Sequence, residues 1–340
     1  MKHLPIIFTF LCMACVSSQK NIGFDPETYA ASITAEELKA HLYTYAGDDF
    51  MGREAGTEGE EVAINYLKSE YESLGINGGM PDGAYFMPMT LNSYRENRIL
   101  DASNVLAFIE GSEKPNEILV ITAHLDHIGV EKDGQINNGA DDDGSGTVAI
   151  LEIAEAFQQA VINGNGPKRS VLFLHVTAEE KGLLGSKYYT DNPVYPLEDT
   201  VANLNIDMIG RIDDLHKDNS NYIYLIGSDI LSQDLHDVSA AMNDTYINLD
   251  LDYRYNDPTT EVFERGRYIE NRYYYRSDHY NFAKNNVPVI FYFNGTHADY
   301  HAPTDTVEKI EYELLEKRTR LIFHTAWEIA NREERLRLKE

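Results

Sequence analysis

The feature that most constrains this fold is a mostly apolar run, Ile118-Leu-Val-Ile-Thr-Ala123, that stops on His124-Leu-Asp126. A short apolar run of this kind reads as a buried strand. The pattern returns at 171–176, 201–206 and Val289–Phe293. Between these runs lie segments of helical period. After Gly146, the residues Ile150, Ile153, Ala154 and Phe157 fall on one face at i, i+3, i+4 and i+7. Buried strands alternating with amphipathic helices place helices on both faces of one sheet. The expected class is therefore α/β, a three-layer sandwich with a largely parallel central sheet.

Local signals set the boundaries. Thr34-Ala-Glu-Glu37 is a capping-box pattern that opens a helix through Leu38 and Leu42. Thr57-Glu-Gly-Glu60 opens another, which runs to Leu74 and stops at Gly75. The last helix is expected from Asp305 or Thr306, with Ile322, Ala326 and Ile329 facing inward. Residues 211–276 break the rhythm with acids, arginines and the tyrosines Tyr253, Tyr255, Tyr268, Tyr273, Tyr274 and Tyr275. The stretch is too long for a simple connection. It reads as an insertion with its own helix near 229–242, placed over one end of the sheet. The expected organisation is one domain over 32–340 with this insertion at 211–276.

The chain of 340 residues is long enough to bury a large core. Its formal net charge of −27 argues against nucleic acid as a partner, because phosphate backbones call for a basic face. The start is Met-Lys-His, then an apolar stretch from Leu4 to Ala14, then Cys15. This is the composition of a secretory leader, and it is too short for a permanent span. Ala14-Cys15 resembles the lipobox of bacterial lipoproteins, although Cys12 stands where leucine is usual and Leu11 lies one place earlier. The expectation is a leader over 1–14, a polar tether over 15–31, and export to the bacterial cell envelope. A lipid anchor at Cys15 would be the sole membrane attachment. Both cysteines fall in this segment, which leaves none for a disulfide or a thiolate zinc site in the mature fold.

In an open α/β sheet, ligands bind beyond the carboxyl ends of the strands. His124 ends the first run, Glu179 and Glu180 follow the second, and Asp207 ends the third. His301 comes after the fourth, and Asp141 lies in Asn138-Gly-Ala-Asp141-Asp142-Asp143-Gly-Ser-Gly146. A lone strand-end histidine or a Glu-Glu pair is ordinary. Imidazoles and carboxylates converging on one sheet edge are the donor set of zinc. Two ions ~3.5–4 Å apart need a shared carboxylate and about two further ligands each. Asp141 takes the shared place, His124 and Asp207 complete one ion, and Glu180 and His301 complete the other. Glu179 is left over, beside a ligand but outside the count, as a general base must be. Asp126 is expected to accept the other ring N–H of His124, and Asp142 to support the ligands from behind.

At this point the chain resembles the zinc exopeptidase family that includes bacterial leucyl aminopeptidase, aminopeptidase Y and glutamate carboxypeptidase II. The pieces that carry the likeness are Ala123-His124-Leu-Asp126-His127, the acid-glycine stretch at 138–146, and Glu179-Glu180-Lys-Gly-Leu-Leu-Gly-Ser186. Asn205-Ile-Asp207-Met, Ser277-Asp278-His279 and Tyr300-His301-Ala-Pro-Thr-Asp305-Thr306 complete them. They stand in family order and cover most of the chain from about Leu42. The resemblance implies two zinc ions on the same five positions and a cis peptide between Asp141 and Asp142. It also implies action on peptide ends; the residues themselves add the expectation of an amino-terminal cut, since a free amine is a cation suited to acids, and of a pocket lined by the tyrosines between Tyr253 and Tyr275 that favours apolar side chains. Residues 92–117 are too few for the protease-associated domain of many relatives, so the form is compact. Glutaminyl cyclases resemble the same family with a single zinc, and carboxypeptidases and dipeptidases share its fold. A non-catalytic module of the transferrin-receptor kind fits poorly, because every catalytic position is present.

Overall fold

A computed structural model of the chain describes residues 25–93, 97–264 and 267–339. The expected leader and anchor, with Cys12 and Cys15, lie outside the described residues. The amino-terminal part builds α1 (Glu27–Ala30), α2 (Ala35–Tyr45), α3 (Glu58–Leu74) and the strands β1 (Asn77–Gly78), β2 (Phe86–Ser93) and β3 (Arg98–Ile109). The middle alternates β4 (Lys114–His124), α4 (Gly146–Ile162), β5 (Arg169–Val176), α5 (Leu184–Asp191) and β6 (Thr200–Ile206). Then come β7 (Tyr222–Ile226), α6 (Gln233–Met242), β8 (Asp250–Asp252), β9 (Glu261–Glu264) and β10 (Arg267–Glu270). The chain closes with α7 (His279–Ala283), β11 (Val289–Phe293) and α8 (Tyr312–Asn331).

The main sheet runs β1-β3-β5-β4-β6-β11-β7-β8, with β2 also on β3. Its centre, β5-β4-β6-β11, is parallel throughout, and β3 and β7 join it antiparallel on either side. Side chains alternate across the strands, as pleating requires. Leu119, Ile121 and Ala123 of β4 pack with the α2, α4 and α8 side, while Ile118 and Val120 pack with Tyr189 of α5 and Phe282 of α7. The carboxyl ends of all four central strands therefore open on one edge.

α3 starts after Thr57 as expected, although the Thr57 hydroxyl donates to the Glu54 carbonyl instead of capping the helix. The Thr34 hydroxyl accepts from Glu37 N–H at 3.2 Å and donates to the Glu37 carboxylate at 2.8 Å, which caps α2. Gly75 ends α3 at φ 71°, where a side chain would be strained.

Three boundaries differ from expectation. Much of 211–276 is not an insertion. β7 pairs with β11 and β8 with β7, and α6 lies on the core with Leu235 and Val238 buried. The apolar run of β7 is only five residues long among acids and tyrosines, which hid it. The tether also ends earlier than residue 31. Tyr29 and Ala30 are buried, and the Glu27 carboxylate lies 3.1 Å from His324 of α8. Finally, α8 begins at Tyr312, not at Asp305 or Thr306. The buried Asp305 carboxylate accepts the N–H groups of Asp141 and Asp142 at 3.0 and 3.2 Å, which keeps its own backbone in the loop.

Candidate metal centre

Strand β4 delivers His124 to the open edge, where its backbone N–H donates to Asp143 Oδ2 at 3.1 Å. Its ring Nδ1 lies 3.0 Å from the Asp126 carbonyl, and the Asp126 carboxylate is farther off at 3.7 Å. A carbonyl only accepts, so Nδ1 carries a proton and Nε2 is the nitrogen left to face a ligand. The atom of Asp126 that takes this N–H is its backbone carbonyl rather than its carboxylate. The Asp126 carboxylate instead accepts Glu179 N–H at 3.0 Å.

Asp142 stands between two imidazoles. Its Oδ1 is 3.1 Å from His124 Nε2 and its Oδ2 is 3.1 Å from His301 Nε2. Asp207 Oδ1 lies 3.7 Å from His124 Nε2. Glu180 places one oxygen 3.2 Å from His301 Nε2 and the other 3.0 Å from His127 Nδ1. Zinc bonds of ~2.0–2.1 Å in a tetrahedron put neighbouring donor atoms ~3.3 Å apart. The observed separations straddle that edge length. Asp142 is almost fully buried, so its charge calls for positive partners close by.

Asp141 does not share this place. Its Oδ1 accepts Gly210 N–H at 2.6 Å and the Ser145 hydroxyl at 3.1 Å, and its Oδ2 lies 3.1 Å from His297 Nε2. The place between the imidazoles expected for Asp141 is thus taken by Asp142, while Asp141 is held by Gly210, Ser145 and His297. The backbone leaves helical geometry at Asp142 (φ −103°, ψ 98°) and Asp143 (φ −115°, ψ 46°), so consecutive carboxylates reach different partners. The cis peptide joins Asp142 to Asp143, one residue beyond the expected bond. Asp143 lies near His124 and Asp207. Its oxygens, however, accept the N–H groups of His124, Gly146 and Met208 at 3.0–3.1 Å. It ties together the ends of β4 and β6 and the start of α4. Gly146 is required there, since a Cβ would stand 2.4 Å from Asp143 Oδ1.

Electrostatics point the same way. Burial alone would lower the pKa of His124, yet Asp126, Asp142 and Asp207 hold it well above the usual imidazole range. Burial likewise opposes charge on His301, but Asp142 and Glu180 raise it to about 10. Without a metal, protons supply the positive charge that these carboxylates demand. Glu179 is pushed well above the carboxylate range, first by burial; Glu180, Asp278 and Asp207 add to the push and His124 opposes it.

The cavity over this edge is walled by Met208, Phe291, Phe293, Tyr273, Arg276 and Tyr300. Of the tyrosines expected to line it, Tyr273 does so. Tyr255 packs behind Tyr273 with ring centroids 4.1 Å apart, and Tyr268 is exposed on the β9–β10 hairpin. Several contributors carried no assignment from sequence. His127 was visible three residues after His124, but a one-per-ligand count left it no place. Arg53 gave no signal at all. It is fully buried and donates to the carbonyls of Tyr45 at the end of α2 and of Leu125, Asn138 and Gly139 in the loops that flank His124 and the acids.

Residues 104–326 match the family described as peptidase family M28. Leupeptin-inactivating enzyme 1 of Streptomyces exfoliatus is 31% identical over 194 residues, which is 54% of this chain and 39% of that enzyme. Leucine aminopeptidase 1 of Grosmannia clavigera is 31% identical over 198 residues, 56% of this chain and 46% of its own length. The chain thus spans less than half the length of these curated relatives. The LapA aminopeptidase of Legionella pneumophila has the same fold, with a TM-score of 0.68 at 21% identity over 91% of this chain and 75% of that one.

Proposed function

We propose that this chain, which belongs to peptidase family M28, is an aminopeptidase that works with two zinc ions. The observation that carries this reading is Asp142, with each carboxylate oxygen 3.1 Å from a different imidazole. His124, Asp142 and Asp207 would hold one ion, and Asp142, Glu180 and His301 the other. Zinc so held supplies a Lewis acid that polarises a carbonyl and acidifies water. The protein supplies the proton chemistry. Glu179 takes a proton from the attacking water as oxygen bonds to the scissile carbonyl carbon. It returns that proton to the nitrogen as the C–N bond breaks. The Asp126 carboxylate fixes the Glu179 backbone during both transfers. A free amino terminus is a cation, and the acids of this edge favour it. Met208, Tyr273, Phe291 and Phe293 give the cavity an apolar wall, which favours apolar side chains. For the segment outside the described residues, we propose a lipid anchor at Cys15 and export to the bacterial cell envelope.

The test is one peptide offered free, N-acetylated and C-amidated, with products read by mass spectrometry. The reading predicts loss of the first residue from the free and amidated forms and no cleavage of the acetylated form. Loss of the last residue from the acetylated form would make the protein a carboxypeptidase. Cyclisation of an N-terminal glutamine without hydrolysis would make it a cyclase.

A further inference from the structure

The Ser277-Asp278-His279 motif makes no direct contribution to the ligand set, yet Asp278 is fully buried in the same end of the fold. Its neighbour is the turn that carries Glu179 and Glu180. That turn folds back on itself. Leu183, Leu184 and Gly185 N–H groups donate to the carbonyls of Glu179, Ala178 and Thr177 at 2.9–3.0 Å. A Cβ on Gly185 would fall 2.1 Å from the Thr177 carbonyl, so only glycine closes it. Ala178 and Leu183, on either side of the two glutamates, both hold left-handed backbone, at φ 55° and 60°. Residues without the freedom of glycine keep such angles only where their surroundings impose them.

Asp126 holds the Glu179 end of this turn and Asn104 its closing pair, Thr177 and Gly185; the Leu183 end is held by the 277–281 segment. The Ser186 hydroxyl donates to Asp278 Oδ1. Asn281 Nδ2 donates to Ser186 Oγ at 2.7 Å and to the Leu183 carbonyl at 3.1 Å. Lys284 donates to Asn281 Oδ1 at 2.7 Å, which fixes the orientation of that amide. The base of the grip is anchored to the strands that carry His124 and Asp207. Asn205 Nδ2 donates to Ser277 Oγ at 2.8 Å, and Thr122 Oγ1 donates to Asn205 Oδ1 at 2.6 Å. Thr122 and Asn205 stand two residues before His124 and Asp207 on β4 and β6. A buried polar ladder thus connects two of the ligand-bearing strands to the turn that bears the base.

We infer that Asp278 and Asn281 are positioning residues, which grip the turn at Ser186 and Leu183 and so set Glu179 against the metal centre. Glu180 has its own contacts to His127 and His301. Glu179 is outside both ligand sets and depends on the turn for its placement. This inference rests on Glu179 being the general base.

The experiment compares Ser186→Ala, Asn281→Ala, Asp278→Leu and Asp278→Asn in the zinc-loaded protein. Four readouts are taken: kcat and KM on an aminoacyl p-nitroanilide, zinc stoichiometry, the pH profile, and backbone hydrogen exchange of residues 178–186. Ser186→Ala, Asn281→Ala and Asp278→Leu should lower kcat about 10–10²-fold with little change in KM, as a displaced catalytic group does. Zinc should stay bound, and exchange in 178–186 should quicken. Asp278→Asn keeps an acceptor for the Ser186 hydroxyl and should restore kcat to within about threefold, with the wild-type pH profile. Unchanged kcat and exchange in Ser186→Ala and Asn281→Ala would overturn the inference. So would loss of zinc, or an Asp278→Asn defect as deep as that of Asp278→Leu. Exchange is independent of turnover, so it judges the grip even if the wild-type protein cleaves nothing, a result that would refute the base assignment.

Discussion

Replacing Glu179 with glutamine removes a base while keeping its size and the N–H that donates to Asp126 Oδ1 at 3.0 Å. Neither ligand set includes Glu179, so the variant should fold and hold the same zinc as the wild type. A positioned general base contributes about 10²–10⁴-fold to turnover. At ~1.36 kcal/mol per tenfold, that is about 2.7–5.4 kcal/mol of transition-state stabilisation. Burial and the carboxylates of Glu180, Asp278 and Asp207 raise the proton affinity of Glu179. The assay is steady-state hydrolysis of an aminoacyl p-nitroanilide beside zinc analysis by mass spectrometry. KM should move by less than about threefold, because the interaction lost is made in the transition state. Glu180→Gln is the control, since its oxygens stand 3.0 and 3.2 Å from His127 and His301. It should lose zinc. A Glu179→Gln protein that keeps more than about a tenth of wild-type kcat, or that loses zinc like the control, refutes the division of roles.

Further outcomes follow from the same structure. In the metal-free protein His301 has its pKa raised to about 10, and His124 is held well above the imidazole range, so both are protonated at neutral pH. Zinc must displace those protons; affinity should rise with pH, and calorimetry in buffers of different ionisation enthalpy should detect proton release, whereas pH-independent affinity would contradict the ligand set. Glu152 of α4 is buried at 3.5 Å from His41, and burial raises its pKa to about 9. A raised folded-state value means stability is complete below the unfolded pKa and is lost as pH climbs toward the folded one. Glu152→Gln should therefore be more stable than wild type by up to about 3 kcal/mol at pH 7, with the gap widening from pH 5 to 8. Urea denaturation across that range checks it, and a gap that does not change with pH refutes it. Cys15→Ser should abolish lipid labelling and release the protein from membranes; a lipid-free mature chain that starts elsewhere would show an ordinary leader.

The centre of the fold was legible because its residues answer to one rule each. Val289–Phe293 is apolar at every position and is buried at every position. Gly75 marks the end of α3 because its φ of 71° suits glycine. What escaped depends on partners distant in sequence. β7 is short, and its place between β11 and β8 is set by pairing rather than by pattern. Three consecutive acids at 141–143 have the same side chain, and sequence alone cannot rank them. Their roles are decided by Asp305, Gly210, His297 and the amides around Asp143, which come together only in the folded chain. Arg53 is the extreme case, an arginine that spends its donors on four backbone carbonyls.

The most direct test of the central claim is a crystal structure of the zinc-loaded protein with anomalous difference maps collected at the zinc edge. The account predicts two peaks ~3.5–4 Å apart, bridged by Asp142, with His124 and Asp207 on one and Glu180 and His301 on the other. A single peak, or a pair bridged by Asp141, would contradict it.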